Sequence, residues 1–315
     1  MERSGYYLKL GWRLDREQIK KYFKEFYGYC HPLFVCSALA LVAGIMERWL
    51  LQVFGGSIQQ GFYGLSYQIG AICFLFTSAM TPLLMREFSI AHEKKDLPQM
   101  VHLFQRYIPL LYSITAYFSC FIALQADKVV CIFGGSRFSG AAIAVAIMAF
   151  YPIHQTLGQL SASVFFATGQ MRLYRNIAMV ITPLSLLVAY FLLAPSGKMG
   201  LNAGANGLAV KMVLMNIIGV NAQLYFNAKQ MNFSFWQFLR QQLLIVACLV
   251  TLALCATFGV DHVFMPHGKI IPNFLFAGAS YSLAVMIIVC LFPTLFGLRR
   301  QDIQSAVGII KKRIR

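Results

Sequence analysis

PLFVCSALALVAGIMERWLLQ, residues 32–52, sets the class of this chain. It is apolar throughout except for short polar side chains and one adjacent charged pair, Glu47 and Arg48. It is also long enough to cross a bilayer, which takes about 20 residues of helix. In hydrocarbon the backbone must satisfy its own hydrogen bonds, and within one segment only a helix does so. Working outward, further stretches of the same kind follow at 61–85, 107–126, 139–167, 174–194, 203–226, 240–260 and 271–298. Composition agrees: 58% of residues are hydrophobic, 12% are charged, and the mean hydropathy is +0.64. A soluble domain carries about twice that charge. The expectation is an all-α, polytopic membrane helical bundle with about eight transmembrane helices. Trp49, Tyr63, Tyr107, Tyr225 and Trp236 stand near span ends, as interfacial anchors do.

Lysine and arginine divide unevenly between the loops. Of 27 such residues, 21 fall in segments 1–31, 86–106, 168–175, 227–240 and 299–315. The alternate loops hold Lys128, Arg137, Lys198 and Lys269, while Arg48 and Lys211 lie within spans. Positive loops stay cytoplasmic. Both termini are therefore expected on the cytoplasmic side of the membrane, with loops near 53–60, 127–138, 195–202 and 261–270 facing out. The net charge of +16 is then a topology signal, reinforced by attraction to anionic membrane lipids. No nucleic-acid partner is expected.

Four parts follow along the chain. Residues 1–31 are polar and basic, without the apolar run of a secretion signal. Asp15 and Gln18 resemble a capping box, after which Ile19, Tyr22, Phe23, Phe26 and Tyr27 recur at helical spacing among Arg16, Lys20, Lys21 and Lys24. That pattern predicts a basic amphipathic helix on the inner leaflet. Residues 32–226 hold six spans, residues 227–298 two more, and residues 299–315 form a basic tail with Ile303, Val307, Ile310 and Ile314 on one face.

The eight cysteines are scattered singly, without a CxxC pair, and the six histidines show no metal-ligand spacing. No metal, cofactor or disulfide framework is expected. HExxH, GxSxG and GxxxxGK[ST] are absent, and the outward loops hold only Asp127 and Asp261. The sequence therefore gives no reason to expect an enzyme.

Interest moves to polar groups held inside lipid, where charge is costly and tends to be functional. Glu47 and Arg48 point about 100° apart on a helix, so each can meet a different partner. Lys211 has no acid within its own span, and is expected to face a cavity or an anionic ligand such as a phosphate. Gln155, Gln159 and Ser163 recur at i, i+4 and i+8, beside His154 and Gly158. Tyr63, Tyr67 and Gln68 lie on the outer half of the second span, and Asn206, Asn216 and Asn221 on the sixth. Such groups either join helices or line a path. Pro82, Pro152, Pro183 and Pro293 fall within spans, where each predicts a kink.

Four runs resemble a known family: MERWLLQVFGGSIQQGFYGLSYQIG (46–70), TPLLMREFSIAHEKKDLPQM (81–100), FGGSRFSGA (133–141) and FFATGQMRLYRN (165–176). Over residues 10–230 they are similar, in order, to the C-terminal lobe of Wzx-type oligosaccharide (O-antigen) flippases, within the multidrug/oligosaccharidyl-lipid/polysaccharide exporter superfamily. The resemblance implies translocation of polyprenyl-pyrophosphate-linked oligosaccharide, through a cavity between two six-helix lobes. It implies that Arg48 and Lys211 meet pyrophosphate or acidic sugars and that Tyr63, Gln155 and Gln159 meet sugar, with Glu47 and Gln68 as further candidate residues of the cavity. One departure is large: the first lobe has no counterpart, and residues 1–31 resemble the linker between lobes. The chain is thus expected to be a truncated product, or a half-transporter that pairs with a missing N-terminal lobe, with itself, or with glycan polymerase or ligase machinery. Two alternatives stand beside this: a cation-coupled multidrug exporter, and a non-transporting scaffold of a glycan assembly complex.

Overall fold

The computed structural model describes residues 16–261 and 270–298. The basic tail, the Asp15 end of the capping box, and Lys269, His262 and His267 lie outside the described residues. Within them the chain is helical, with no strand. The elements are α1 (Arg16–Glu93), α2 (Leu97–Leu124), α3 (Ala126–Gly134), α4 (Ala142–Met148), α5 (Tyr151–Ala167), α6 (Met171–Leu193), α7 (Gly204–Met231), α8 (Phe235–Gly259) and α9 (Ile270–Leu291). Seven helical stretches are long and apolar enough to cross a membrane, so this is a multi-pass membrane protein.

The first stretch holds two passes. At Gly56 the backbone takes φ 74° and ψ −176°, a conformation for which glycine is suited, and helical geometry breaks there. Contacts show that the chain turns back. The Gln59 Oε1 atom accepts a hydrogen bond from the Ala205 backbone N–H at the start of α7, whereas Glu47 meets Lys211, further down the same helix. A straight helix would place Glu47 about 18 Å from Gln59 in the opposite sense. Residues 16–55 and 57–93 are therefore two antiparallel limbs of α1. Among the described residues the seven candidate stretches thus supply eight apolar limbs, the first stretch contributing two.

The basic segment from Arg16 is helical and runs on into the first pass through Pro32. Its aromatic side chains Phe23 and Phe26 are exposed. The fourth pass is broken: a 3₁₀ turn at Ser136–Ala141 leads into α4, and α5 starts anew at Tyr151. Pro152 thus sits in the first turn of α5, and Pro293 opens a short 3₁₀ turn after α9. Neither kinks a helix as the sequence suggested, because a first-turn residue has no intrahelical N–H bond to lose. Pro82 and Pro183 do lie inside helices, as does Pro109.

The main core lies between α2, α5, α7 and α8, around Phe104, Ile108, Leu157, Leu160, Leu224 and Leu249. The last two passes are joined to this core. Gln125 Nε2 donates to Thr257 Oγ1 at 2.9 Å, Lys128 pairs with Asp261 at 2.5 Å, and the Tyr281 hydroxyl donates to the Tyr117 carbonyl at 3.1 Å. A hydroxyl cluster ties limb 57–93 to α2 and α5: Thr156 Oγ1 lies 2.9 Å from Thr77 Oγ1 and 3.0 Å from Thr115 Oγ1. Leu41, Val42, Ile45, Leu243, Leu283 and Met286 point outward, the apolar exterior that lipid requires.

Candidate functional site

Two polar sites sit inside the bundle, one above the other along α5 and α7. The upper one is the ion pair. The fold-back at Gly56 brings the first limb beside α7, where Lys211 donates to Glu47 Oε1. Both side chains are buried. Lys211 therefore has a carboxylate partner, contrary to the expectation of an unpaired amine. The acid comes from a helix 164 positions away in sequence, so no inspection of the sixth span reveals it.

Helical geometry sends Arg48 the other way, and it is exposed on the outer face of the limb. It makes no ion pair with Glu47 but stays within electrostatic reach of Tyr63. Tyr63 is buried beside the pair, in a cluster with Leu50, Leu51 and Leu208. Its ring centroid is 6.3 Å from that of Tyr67, which is 6.4 Å from that of Tyr151. Tyr63 and Tyr151 both lie within electrostatic reach of Glu47. Gln68, one residue past Tyr67, is exposed and joins neither site.

The lower site is a cleft of about 550 Å³ between limb 57–93, α5, α6 and α7. Its polar lining comes from Ser78, Thr81, Gln155, Gln159, Asn216 and Gln223. At its terminal end stand Phe166 and Tyr174, with ring centroids 5.4 Å apart in an edge-to-face arrangement. Gly158 sets the wall: a Cβ there would lie 2.7 Å from Val220 Cγ2, so glycine lets α5 and α7 approach. The Asn216 side chain donates to the Tyr151 carbonyl at 3.2 Å, linking the tyrosine level to the cleft. Lys211 and Asn216 are five residues apart, about 7.5 Å of helix rise.

Gln155 and Gln159 thus come together, whereas Ser163 does not join them. Its hydroxyl is buried and donates to the Leu160 carbonyl at 2.6 Å. The i, i+4, i+8 series drifts by about 80° of helix rotation, which carries the third member out of the cleft. His154 turns toward α2, its ring 6.0 Å from that of Tyr112. Asn221 donates to the Ile217 carbonyl of its own helix.

Sequence reasoning passed over Ser78, Thr81, Tyr174 and Gln223. Gln223 had a signal, since Asn216, Val220 and Gln223 share one helix face at i, i+4, i+7. Ser78 and Thr81 are i, i+3 neighbours, but short hydroxyls in membrane helices usually bond their own backbone. Ser78 does so, donating to the Leu75 carbonyl at 2.9 Å.

All eight cysteines are free thiols, and among the described residues no three His, Cys, Asp or Glu side chains converge on one point. No protein-family model matches the chain, and no curated protein matches it.

Proposed function

We propose that this chain is a transporter lobe that handles polyprenyl-pyrophosphate-linked oligosaccharide, an O-antigen, capsule or exopolysaccharide repeat unit, in a bacterial inner membrane. The observation that carries this reading is the amide-lined cleft. Six amide or aliphatic hydroxyl side chains from three passes, with Tyr174 from a fourth, converge on one open volume within the bundle. Polar groups at membrane depth are costly and mark substrate paths. Amides and hydroxyls suit a hydroxylated ligand. The resemblance in the first two passes, which includes the Glu47–Arg48 pair and the Gly56 turn, points to the same class.

On this reading Gln155 and Gln159 meet sugar. Arg48, which has no ion-pair partner among the described residues, is the cation left for pyrophosphate or an anionic lipid headgroup. Lys211 is held by Glu47 and positions the first limb against α7. The termini lie in the cytoplasm, and a second lobe, a second copy or the glycan polymerase and ligase machinery completes the assembly. Nucleic acid has no part.

The test is genetic. Deleting the gene should abolish surface glycan and cause lipid-linked oligosaccharide to accumulate inside. Complementation with Gln155→Leu/Gln159→Leu should fail at normal membrane abundance. Intact surface glycan in the deletion, with no accumulated intermediate, refutes the proposal.

A further inference from the structure

We infer that the cleft between limb 57–93, α5 and α7 is a subsite for an uncharged, hydroxyl-rich sugar, and that it discriminates against uronic-acid, sialic-acid and phosphate-bearing rings. The inference takes its biological substrate from the transporter reading, although the binding it describes is measurable without it.

Buried polar atoms without a partner occur at several places in the bundle, Ser119, Gln125 and Gln242 among them. In the cleft they are concentrated on facing helices around an open volume, and pairing of its amides to protein is partial. Gln155 makes no side-chain hydrogen bond to the described residues. Gln159 Oε1 accepts from Thr81 Oγ1 at 3.3 Å, which leaves its Nε2 as a donor. Asn216 Nδ2 is committed to the Tyr151 carbonyl, which leaves its Oδ1 as an acceptor. Gln223 lines the cleft, but its Oε1 is buried without a partner and meets a ligand only if the side chain turns. Donors and acceptors are thus both open, and exchanging O and N in Gln155 or Gln223 keeps the set mixed. A sugar hydroxyl donates and accepts at once, so it answers both kinds. A carboxylate or phosphate only accepts.

Charge points the same way. Among the described residues no Asp, Glu, Lys, Arg or His lines the cleft. The buried ions on the same column, Glu47 and Lys211, are closed on each other. An anionic ring would leave water without gaining a counter-charge, which opposes its burial. The Phe166 and Tyr174 rings offer an apolar surface to the C–H face of a sugar. The volume of about 550 Å³ falls within the usual range for small-ligand sites.

The experiment uses the full chain in nanodiscs. The probes are neutral hexose and N-acetylhexosamine tetrasaccharides, tetragalacturonate and inorganic pyrophosphate, with affinity read by calorimetry. A neutral tetrasaccharide should bind at least about tenfold more tightly than tetragalacturonate, with residues 155–166 and 216–223 gaining hydrogen-exchange protection. Gln155→Leu/Gln159→Leu should weaken that binding by about tenfold, the loss of two neutral hydrogen bonds. Comparing the two sugars on the unmodified chain needs no variant to fold. Equal or tighter binding of tetragalacturonate, or no binding of either sugar class, overturns the inference. Loss of surface glycan in the deletion strain together with failed sugar binding retires the subsite and leaves the transporter reading. Sugar binding without a surface-glycan phenotype retires that reading and leaves the subsite.

Discussion

Lys211→Met should be among the most damaging single changes in this protein. The ammonium and the Glu47 carboxylate are both buried and paired across the first limb and α7. Taking an ion out of water is compensated only by its partner, so removing one ion leaves the other exposed to the full desolvation cost. Breaking such a pair costs about 3–5 kcal/mol, or about two to four orders of magnitude in the unfolding constant. Glu47→Leu should cost a similar amount. Replacing both ions with apolar side chains removes both desolvation terms, so Glu47→Leu/Lys211→Met should return to within about 1 kcal/mol of the parent. The assay is equilibrium unfolding in mixed micelles, run as a double-mutant cycle. If each single variant unfolds like the parent, water reaches the pair and the argument from burial fails. If the double variant is as weak as the singles, shape at this site matters more than charge.

Further outcomes follow from the same structure. Gly56→Ala should destabilise the fold-back by about 1–3 kcal/mol, since its positive φ disfavours a side chain although no atom blocks a Cβ, while Gly44→Ala in mid-helix should not; equal stability of the two variants refutes this. Thr156→Val should cost about 1–2 kcal/mol in the same unfolding assay, the sum of two modest intramembrane hydrogen bonds, and no loss would mean the hydroxyl cluster contributes nothing. Gly158→Ala should press on Val220 and lower the melting temperature, with rescue by Val220→Ala; absence of rescue would place the strain elsewhere. Cys131 is exposed on α3, near the face opposite the loops that carry most positive charge, and should react with a membrane-impermeant maleimide in intact cells; labelling only after the inner membrane is opened reverses the assigned orientation.

The class and number of passes were legible because bilayer thickness imposes a length on every span, and 32–52 meets it with little ambiguity. The fold-back at Gly56 was also marked, by paired glycines between two apolar runs. The partner of Lys211 was not. A local reading searches one helix for its counter-charge, and this one arrives by tertiary packing from the first limb. The glutamine cleft was half visible. Gln155 and Gln159 announce themselves by spacing, but their opposing wall, Asn216 with Gln223, becomes adjacent only because Gly158 lets α5 and α7 close up. The two prolines at element starts were misread for a related reason. Hydropathy is continuous through 139–167 and through 271–298, and it does not register a break between helices.

The state of Glu47 also weighs one transport mechanism against another. A cation-coupled exporter needs a carboxylate at membrane depth that is open to the coupling ion. Among the described residues, Glu47 is the acid that lies within a pass and is buried; Glu87, Glu93 and Asp96 are exposed at the terminal side of limb 57–93. Glu47 is occupied by Lys211, which already supplies the positive charge an ion would bring. To bind a cation there, the lysine would have to withdraw and remain charged without a partner inside the bundle, at the cost estimated above for breaking the pair. The cleft below needs no such rearrangement, since Gln155 and the Nε2 of Gln159 line it without a hydrogen-bond partner among the described residues. A lobe built this way favours recognition of a neutral polar cargo over coordination of a coupling cation at Glu47.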